Sequence, residues 1–316
     1  MIDGVRGTRA LDGETAKKYL DITNTFHEVA NRYGFEYIKT PTLERKELFT
    51  TSVGEQTDIV TKQMFSFKDK KDRDLVLRPE GTAGVVRHYL EKNYSDRKQY
   101  YYIEQMFRYE RPQKGRYREF HQAGAEIIGS KEDNINEIFK VIQLCNDFLE
   151  NSIPTKNSFT FEINSIGEIK DRNKYNLDLK EYLENNKEKL SDDSIEKLDT
   201  NPIRILDTKN DKDIQIVADG PKLSDYISEK SKNIYNEVIH LLDNAKINYT
   251  ENPYLVRGLD YYNDFTFEIF PNNDRGSQDA IGGGGEYNKL SELIDNKQLQ
   301  SVGVAFGIDR IVGLYN

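Results

Sequence analysis

FRYERPQKGRYREFHQ, residues 107–122, is a basic, turn-rich segment set between two runs of alternating apolar residues. YYIEQMFRY (101–109) leads in, and REFHQAGAEIIG (118–129) leads out. Arg108, Arg111, Lys114, Arg116 and Arg118 gather around Pro112 and Gly115. Two period-2 runs joined by a Pro/Gly-containing turn read as an antiparallel hairpin. With the turn centred on Gly115, Arg108 is expected to face Gln122 across the ladder. Gln122, Gly124 and Glu126 then share one face, because strand side chains alternate. A solvated basic turn is the simpler reading. Against it, an acid and an amide interrupt the apolar strand, and a glycine leaves room beside them. A guanidinium, an amide and a carboxylate on a rigid sheet suit a polyphosphate held next to a small polar substrate.

Around that hairpin the chain of 316 residues is long enough for one large domain or two smaller ones. A net charge of −9 argues against broad nucleic-acid binding, so any such contact must use local basic patches. Cys145 stands alone, which excludes a disulfide framework or a thiolate metal cluster and fits a reducing cytoplasm. His27, His88, His121 and His240 are scattered without zinc-ligand spacing. No signal peptide opens the chain, and no apolar run approaches the roughly 18 residues of a membrane span, so a cytoplasmic protein with no membrane partner is expected.

Upstream, apolar residues at helical spacing from Glu14 to Tyr33 predict a helix closed by Gly34. A strand over 35–41 should stop at Pro41, and a helix should end near Val53 and Gly54. QMFSFKD and RDLVLRPE read as paired strands across Asp69 to Asp72, and Thr82 starts a helix. Downstream, residues 132–151 are amphipathic. From about Ile166 to Tyr249 the chain turns Lys/Glu/Asn/Asp-rich and helical in pattern. Strands resume at 254–262, 265–271, 279–287 and 301–307, before a closing helix. Hairpin strands edged by helices predict an α+β fold. Its divisions are a core, first part at 1–165, a helical insertion at 166–249, and a core, second part at 250–316.

Four further stretches carry polar groups where packing alone does not need them. LRPEGTAG (77–84) puts Arg78, Glu80 and Thr82 on a strand-to-helix turn. Thr82 is either a helix N-cap with Glu80 beside the dipole, or both are aimed at a ligand ammonium. LVRGLDYYN (255–263) sets Arg257 and Gly258 in an otherwise aromatic and aliphatic run. IGGGGEYNKL (281–290) lacks the third glycine of a dinucleotide fingerprint, and its glycines read as a floor for a flat ring. GVAFGIDR (303–310) places Arg310 in a helix's first turn, where the dipole disfavours a cation unless an anion binds.

In that order these stretches resemble the catalytic core of histidyl-tRNA synthetases, class II aminoacyl-tRNA synthetases, over nearly the whole chain. FEYIKTPTLERKELFTTSVGEQTDIV (35–60) resembles motif 1, the family's dimer interface; FRYERPQKGRYREFHQ resembles motif 2, and GVAFGIDR motif 3. LVRGLDYY and the glycine run resemble the two histidine-specific motifs, and NPIRILDTK (201–209) the family's insertion domain. The resemblance implies an antiparallel sheet of about six or seven strands flanked by helices. It implies histidine activation by ATP to histidyl-adenylate, release of pyrophosphate, and transfer to tRNA(His) by a homodimer. Arg108 and Arg310 would hold the α- and γ-phosphates, with Glu110 in the ATP site. Arg257 would bridge the histidine carboxylate and the α-phosphate. Glu80, Thr82 and Gln122 would bind the α-amino group, and Glu126 and Tyr262, with Tyr261 close by, would read the imidazole. Mg²⁺ would ride with ATP, with Glu119 as a candidate ligand. Arg111, Gln113 and Arg118 match positions that approach the tRNA acceptor end.

Two departures stand out. The family usually has Arg-Tyr-Asp after the glycine run, where this chain has Glu286, Tyr287 and Asn288, which reverses a charge near the expected histidine pocket. The sequence also ends at Asn316, where a synthetase continues into an anticodon-reading domain. That length fits the non-catalytic, histidine-sensing regulatory subunit of ATP phosphoribosyltransferase, while the motifs oppose it. A stand-alone paralogue charging another acceptor is the third reading.

Overall fold

The computed structural model describes residues 2–113, 115–130, 134–153, 155–156, 158–272 and 280–315. Lys114, the start of the helix expected from 132 and residues 273–279 lie outside these. Helix α1 (Gly13–Arg32) buries Ile22, Phe26, Val29 and Ala30 at helical spacing. Gly34, at φ +78°, turns the chain out of it into β1 (Glu36–Tyr37), shorter than expected. Beyond it Ile38 still donates to the Tyr101 carbonyl, but Pro41 has no N–H to extend a ladder. β2 (Leu43–Arg45), α2 (Lys46–Val53), β3 (Ser66–Lys68) and β4 (Asp74–Leu77) follow, and β2 and β3 flank β4 antiparallel in a small sheet. Helix α3 (Thr82–Glu91) leads to the central hairpin, β5 (Lys98–Phe107) and β6 (Glu119–Ser130).

The hairpin is present, but its register is not the expected one. Glu104 opposes Gln122 and Phe107 opposes Glu119, so the ladder centres near Gln113. Arg108 therefore lies across from Arg118, to whose carbonyl it donates at 2.9 Å. The shift has a backbone cause. Tyr109 gives its N–H to Gln63 at 2.6 Å, and Pro112 has none to give, so the ladder breaks after Arg108. A separate bridge between Gln113 and Arg116 then closes the tip.

Helix α4 (Ile135–Ser152) and β7 (Phe159–Ser165) come next, then α5 (Ile169–Glu184), α6 (Asp192–Thr200), α7 (Asp211–Ala218) and α8 (Glu229–Ala245). The chain closes with β8 (Tyr249–Glu251), β9 (Asn263–Pro271), β10 (Gly282–Glu286), α9 (Asn288–Asp295), β11 (Gln300–Gly307) and α10 (Ile308–Gly313). The main sheet has eight strands in the order β1-β5-β6-β11-β10-β9-β7-β8. Its inner pairs are antiparallel, while β1 on β5 and β8 on β7 are parallel, so the sheet is wider and more mixed than the resemblance implies. Among the described residues no helix is long and apolar enough to cross a membrane.

Alternation along β6 separates the two faces of this sheet. Ala123, Ala125 and Ile127 turn to one face and join the cluster built on Phe26, Phe148 and Phe306, whose rings meet edge-on. Ile234, Val238 and Leu242 of α8 belong to that cluster, so α8 packs with α4 beneath the sheet. Leu179, Leu183, Leu198 and Ile205 of the preceding segment pack in the other cluster. α8 thus packs in a different cluster from the helices before it. The stretch 254–262, expected as a strand, is a loop. Its bonds go to different elements: the Leu255 carbonyl accepts from the Asn164 side chain at 3.0 Å and Asp260 donates to Val53 at 3.1 Å, so no ladder forms.

Candidate active site

On the even-numbered face of β6 lies a cavity of about 290 Å³. It is lined by Glu80, Thr82, Arg108, Gln122, Arg257, Tyr261, Tyr262 and Arg310, with Gly282 and Gly283 as its glycine wall. These come from the β4–α3 turn, the hairpin, the 252–262 loop, β10 and α10. Glycines keep the space open. A Cβ at Gly283 would lie 2.5 Å from the Arg257 guanidinium, and one at Gly303 would lie 1.8 Å from a Glu126 oxygen.

The acidic end is held by backbone and hydroxyl donors. The Glu80 carboxylate accepts from Thr82 N–H at 2.8 Å and Ala83 N–H at 2.9 Å, capping the first turn of α3. Thr82 is therefore the first helical residue and not the N-cap, and its hydroxyl donates to Glu126 at 2.7 Å. Burial raises the Glu80 pKa even against these hydrogen bonds. Glu126 lies fully buried behind Thr82, outside the cavity's lining, where burial pushes it up to about 8 and the hydroxyls of Tyr287 and Thr82 only partly offset this. Tyr287 donates to it at 2.6 Å. Gln122 Oε1 already accepts from Gly81 N–H and Tyr102 hydroxyl, both at 3.2 Å, so a ligand ammonium there would share that oxygen.

The other end is cationic. Arg108 donates to the Pro79 carbonyl at 2.8 Å and lies 5.2 Å from the Phe120 ring centre. Arg257 pairs with Glu268 and sits 5.1 Å from the Tyr262 ring centre. Its buried Nε has no hydrogen-bond partner among the described residues. Burial opposes its charge, but Glu268 and Tyr262 more than offset that and its pKa ends raised. Arg310 donates to the Ala280 carbonyl. All three arginines also line a second cavity of about 670 Å³, which runs on to Lys197, Arg204, Thr208 and Lys209 of the inserted segment.

Other expected residues fall elsewhere. Glu110 lines both cavities, 4.0 Å from Arg108 and 3.6 Å from Arg116. Arg111 and Gln113 are exposed on the hairpin tip. Arg118 stacks 3.9 Å over the Tyr109 ring and donates to the Glu110 carbonyl. Glu119 has the opposite parity from Gln122 and opposes Phe107, so the pleat turns it to the far face of the sheet. Arg78 is not at the site either; it is buried in a pair with Glu104 at 2.5 Å. The charge reversal at Glu286 does not reach the cavity. A bulge between Gly285 and Glu286 re-aims the strand end, and Glu286 accepts from Asn134 at 3.0 Å and from Phe265 N–H at 3.2 Å. Burial there raises its pKa to about 7.

Sequence reasoning missed Glu268 and Arg116. Glu268 was signalled only by an acid in the middle of apolar FTFEIF; it is partly buried at the site, where burial raises its pKa and Arg257 only partly offsets this. Chemically, the cavity offers the Glu80 carboxylate for an ammonium at one end, with Glu126 one hydroxyl behind it, and cations for a carboxylate and phosphates at the other.

Known proteins resemble this chain over nearly its whole length. The family model described as histidyl-tRNA synthetase matches residues 7–311. The histidine–tRNA ligase of Thermosipho melanesiensis is 44% identical over 315 residues, 99% of this chain and 74% of that protein. That of Fervidobacterium nodosum is 42% identical over 99% of this chain and 73% of its own length. Among solved structures, apo histidyl-tRNA synthetase of Staphylococcus aureus aligns with a TM-score of 0.76 at 34% identity, covering 99% of this chain and 73% of that one. A Bacillus halodurans structure, described as an ATP phosphoribosyltransferase regulatory subunit/histidyl-tRNA synthetase, aligns at 0.72 over 100% of this chain and 83% of that one. At 20% identity it shows a common fold alone.

Proposed function

The chain belongs to the histidyl-tRNA synthetase family, and from that premise we propose that it joins histidine to ATP and passes the histidine to tRNA(His) at the cavity on β6. One observation carries the assignment of this site: Arg108, Arg257 and Arg310 converge on a cavity whose other end holds Glu80, Thr82 and Gln122 above Glu126. In the first step an oxygen of the histidine carboxylate attacks the α-phosphorus of ATP, the bond to the β-phosphate oxygen breaks, and pyrophosphate leaves. In the second, a ribose hydroxyl at the tRNA 3′ end attacks the activated carbonyl and AMP leaves. The protein's part is positioning and charge. Arg257 bridges the histidine carboxylate and the α-phosphate, held by Glu268, while Arg108 holds the α-phosphate and Arg310 the γ-phosphate. The ammonium of histidine rests on Glu80, Thr82 and Gln122. Its imidazole is read by Glu126 and Tyr262, beside Tyr261.

Mg²⁺ would come with the ATP phosphates, since among the described residues no group of three or more His, Cys, Asp or Glu side chains is placed to hold a metal; Glu110, which lines both cavities, would be its protein contact, and Glu119 on the far face would not. When bound it neutralises charge on the nucleotide phosphates. Arg111, Gln113 and Arg118 at the hairpin tip approach the tRNA acceptor end. α5 to α7 form one inserted unit over the second cavity, and the working protein is a cytoplasmic homodimer. A histidine-sensing regulatory subunit would need the ammonium and imidazole groups, but not three cavity arginines. Charging tests the proposal: with histidine, ATP and tRNA(His), the chain accumulates histidyl-tRNA. The proposal fails if charging is no faster than with another amino acid supplied.

A further inference from the structure

The loop that carries Arg257, Tyr261 and Tyr262 has no ladder of its own, and one of its ties comes from the inserted segment. Pro202–Asp207 is a 3₁₀ turn whose Ile205 and Leu206 are buried in the insertion's apolar cluster. From that anchored turn Arg204 reaches out. Its Nη2 donates to the Gly258 carbonyl at 2.9 Å and to Asp260 Oδ1 at 3.2 Å. The Arg204 side chain is only 17% exposed, and its buried Nε has no hydrogen-bond partner among the described residues. Arg172 of α5, half-buried, feels the charge of the same Asp260. On its other side Asp260 donates its backbone N–H to Val53 and its side chain fills the space over Gly54. The loop end is thus clamped between α2 and the insertion, and the insertion's half of the clamp is Arg204.

We propose that Arg204 is a positioning residue, which couples the inserted helical unit to adenylate formation by fixing the Gly258 carbonyl next to Arg257. The inference rests on the synthetase reading of the cavity. Arg204 touches the loop and not the reacting atoms, so its effect passes through Arg257 and Tyr262. Both bonds leave Nη2, whose two N–H groups are fixed in the guanidinium plane and so aim at the carbonyl and the carboxylate together, where an ammonium turns freely on its stem. Movement of the insertion away from the sheet would release the loop and slacken the site.

The test uses the whole chain. Initial rates of ATP–pyrophosphate exchange are measured over ranges of histidine and ATP for wild type, Arg204→Ala, Arg204→Lys, Arg257→Ala and the double alanine variant. Arg204→Ala is expected to lower kcat/KM for histidine by roughly tenfold or more, the scale of a charge-assisted hydrogen bond, while lysine recovers part of the loss. In the Arg257→Ala background the same change is expected to cost less than about twofold, because the two act as one unit. Amide hydrogen exchange should quicken at residues 258–262 and stay unchanged in β6. Wild-type kinetics in Arg204→Ala, or losses that multiply in the double variant, overturn the proposal. Should wild type itself show no exchange, the synthetase reading fails first. Hydrogen exchange then decides the clamp, and unaltered protection at 258–262 in Arg204→Ala refutes it. Asp260→Ala cuts the same contact from the loop side and carries the same readouts if Arg204→Ala does not fold.

Discussion

Replacing Arg257 with alanine is expected to lower histidine-dependent adenylate formation by roughly 10²-fold or more, the scale of losing a preorganised donor to a developing charge. Of the three cavity arginines it is the one whose place is most built. Glu268 pairs with it, Tyr262 lies under it, Gly283 clears room beside it, and its buried Nε is left for a ligand. The same construction complicates the experiment. Alanine leaves Glu268, whose side chain is 24% exposed, without its cation, and a partly buried carboxylate so placed destabilises the fold unless it takes up a proton. The double variant Arg257→Ala/Glu268→Gln removes that penalty. It should unfold near the wild-type temperature and remain just as slow in adenylate formation. Recovery of near-normal rates in the double variant would mean that Arg257 matters for packing and not for charge.

Glu126→Gln is expected to weaken histidine use by about 10²-fold and to narrow the discrimination against isosteric amino acids, because the carboxylate that meets the ring N–H is lost. It should also stabilise the unliganded protein, and the gain should depend on pH. Glu126 has a folded pKa of about 8 against an ordinary value of 4.5. Below 4.5 the carboxyl is protonated in both states and its contribution to stability is fully present. Between 4.5 and about 8 the unfolded chain releases the proton while the folded one keeps it, so wild-type stability falls as pH rises. Glutamine does not titrate. Denaturant melts of the two proteins should therefore coincide near pH 4.5 and separate up to about pH 8, with Glu126→Gln the more stable. Glu286, raised to about 7, titrates in both proteins and drops out of the difference. Parallel melts across that range would contradict a carboxyl held protonated behind Thr82.

Much of this architecture is legible before any coordinates. Alternation in YYIEQMF and EFHQAGAEII gives the hairpin, and the polar residues that break it, Gln122 and Glu126, are at the site. Arg108, Arg257 and Arg310 stand out as charges beside glycines on apolar strands or their ends. What escapes reading is decided by distant partners. The ladder register depends on Gln63 taking the N–H of Tyr109, a contact between residues far apart in sequence. Residues 254–262 look like a strand because aromatic and branched residues favour one, yet Val53, Ile163 and Arg204 claim the backbone in and beside them. Glu286 looks like a change in the histidine pocket, and a bulge one residue before it sends it to Asn134 instead. Packing of α8 under the sheet cannot be seen in an amphipathic pattern that any partner would satisfy.

The measurement that bears most directly on the whole account is ATP–pyrophosphate exchange by the purified chain, with each amino acid supplied in turn and no tRNA present. Exchange that requires histidine, and that no other amino acid supports at a comparable rate, is the expected result. Histidine binding by calorimetry without any exchange would contradict it, and would make the cavity a histidine sensor on the same fold.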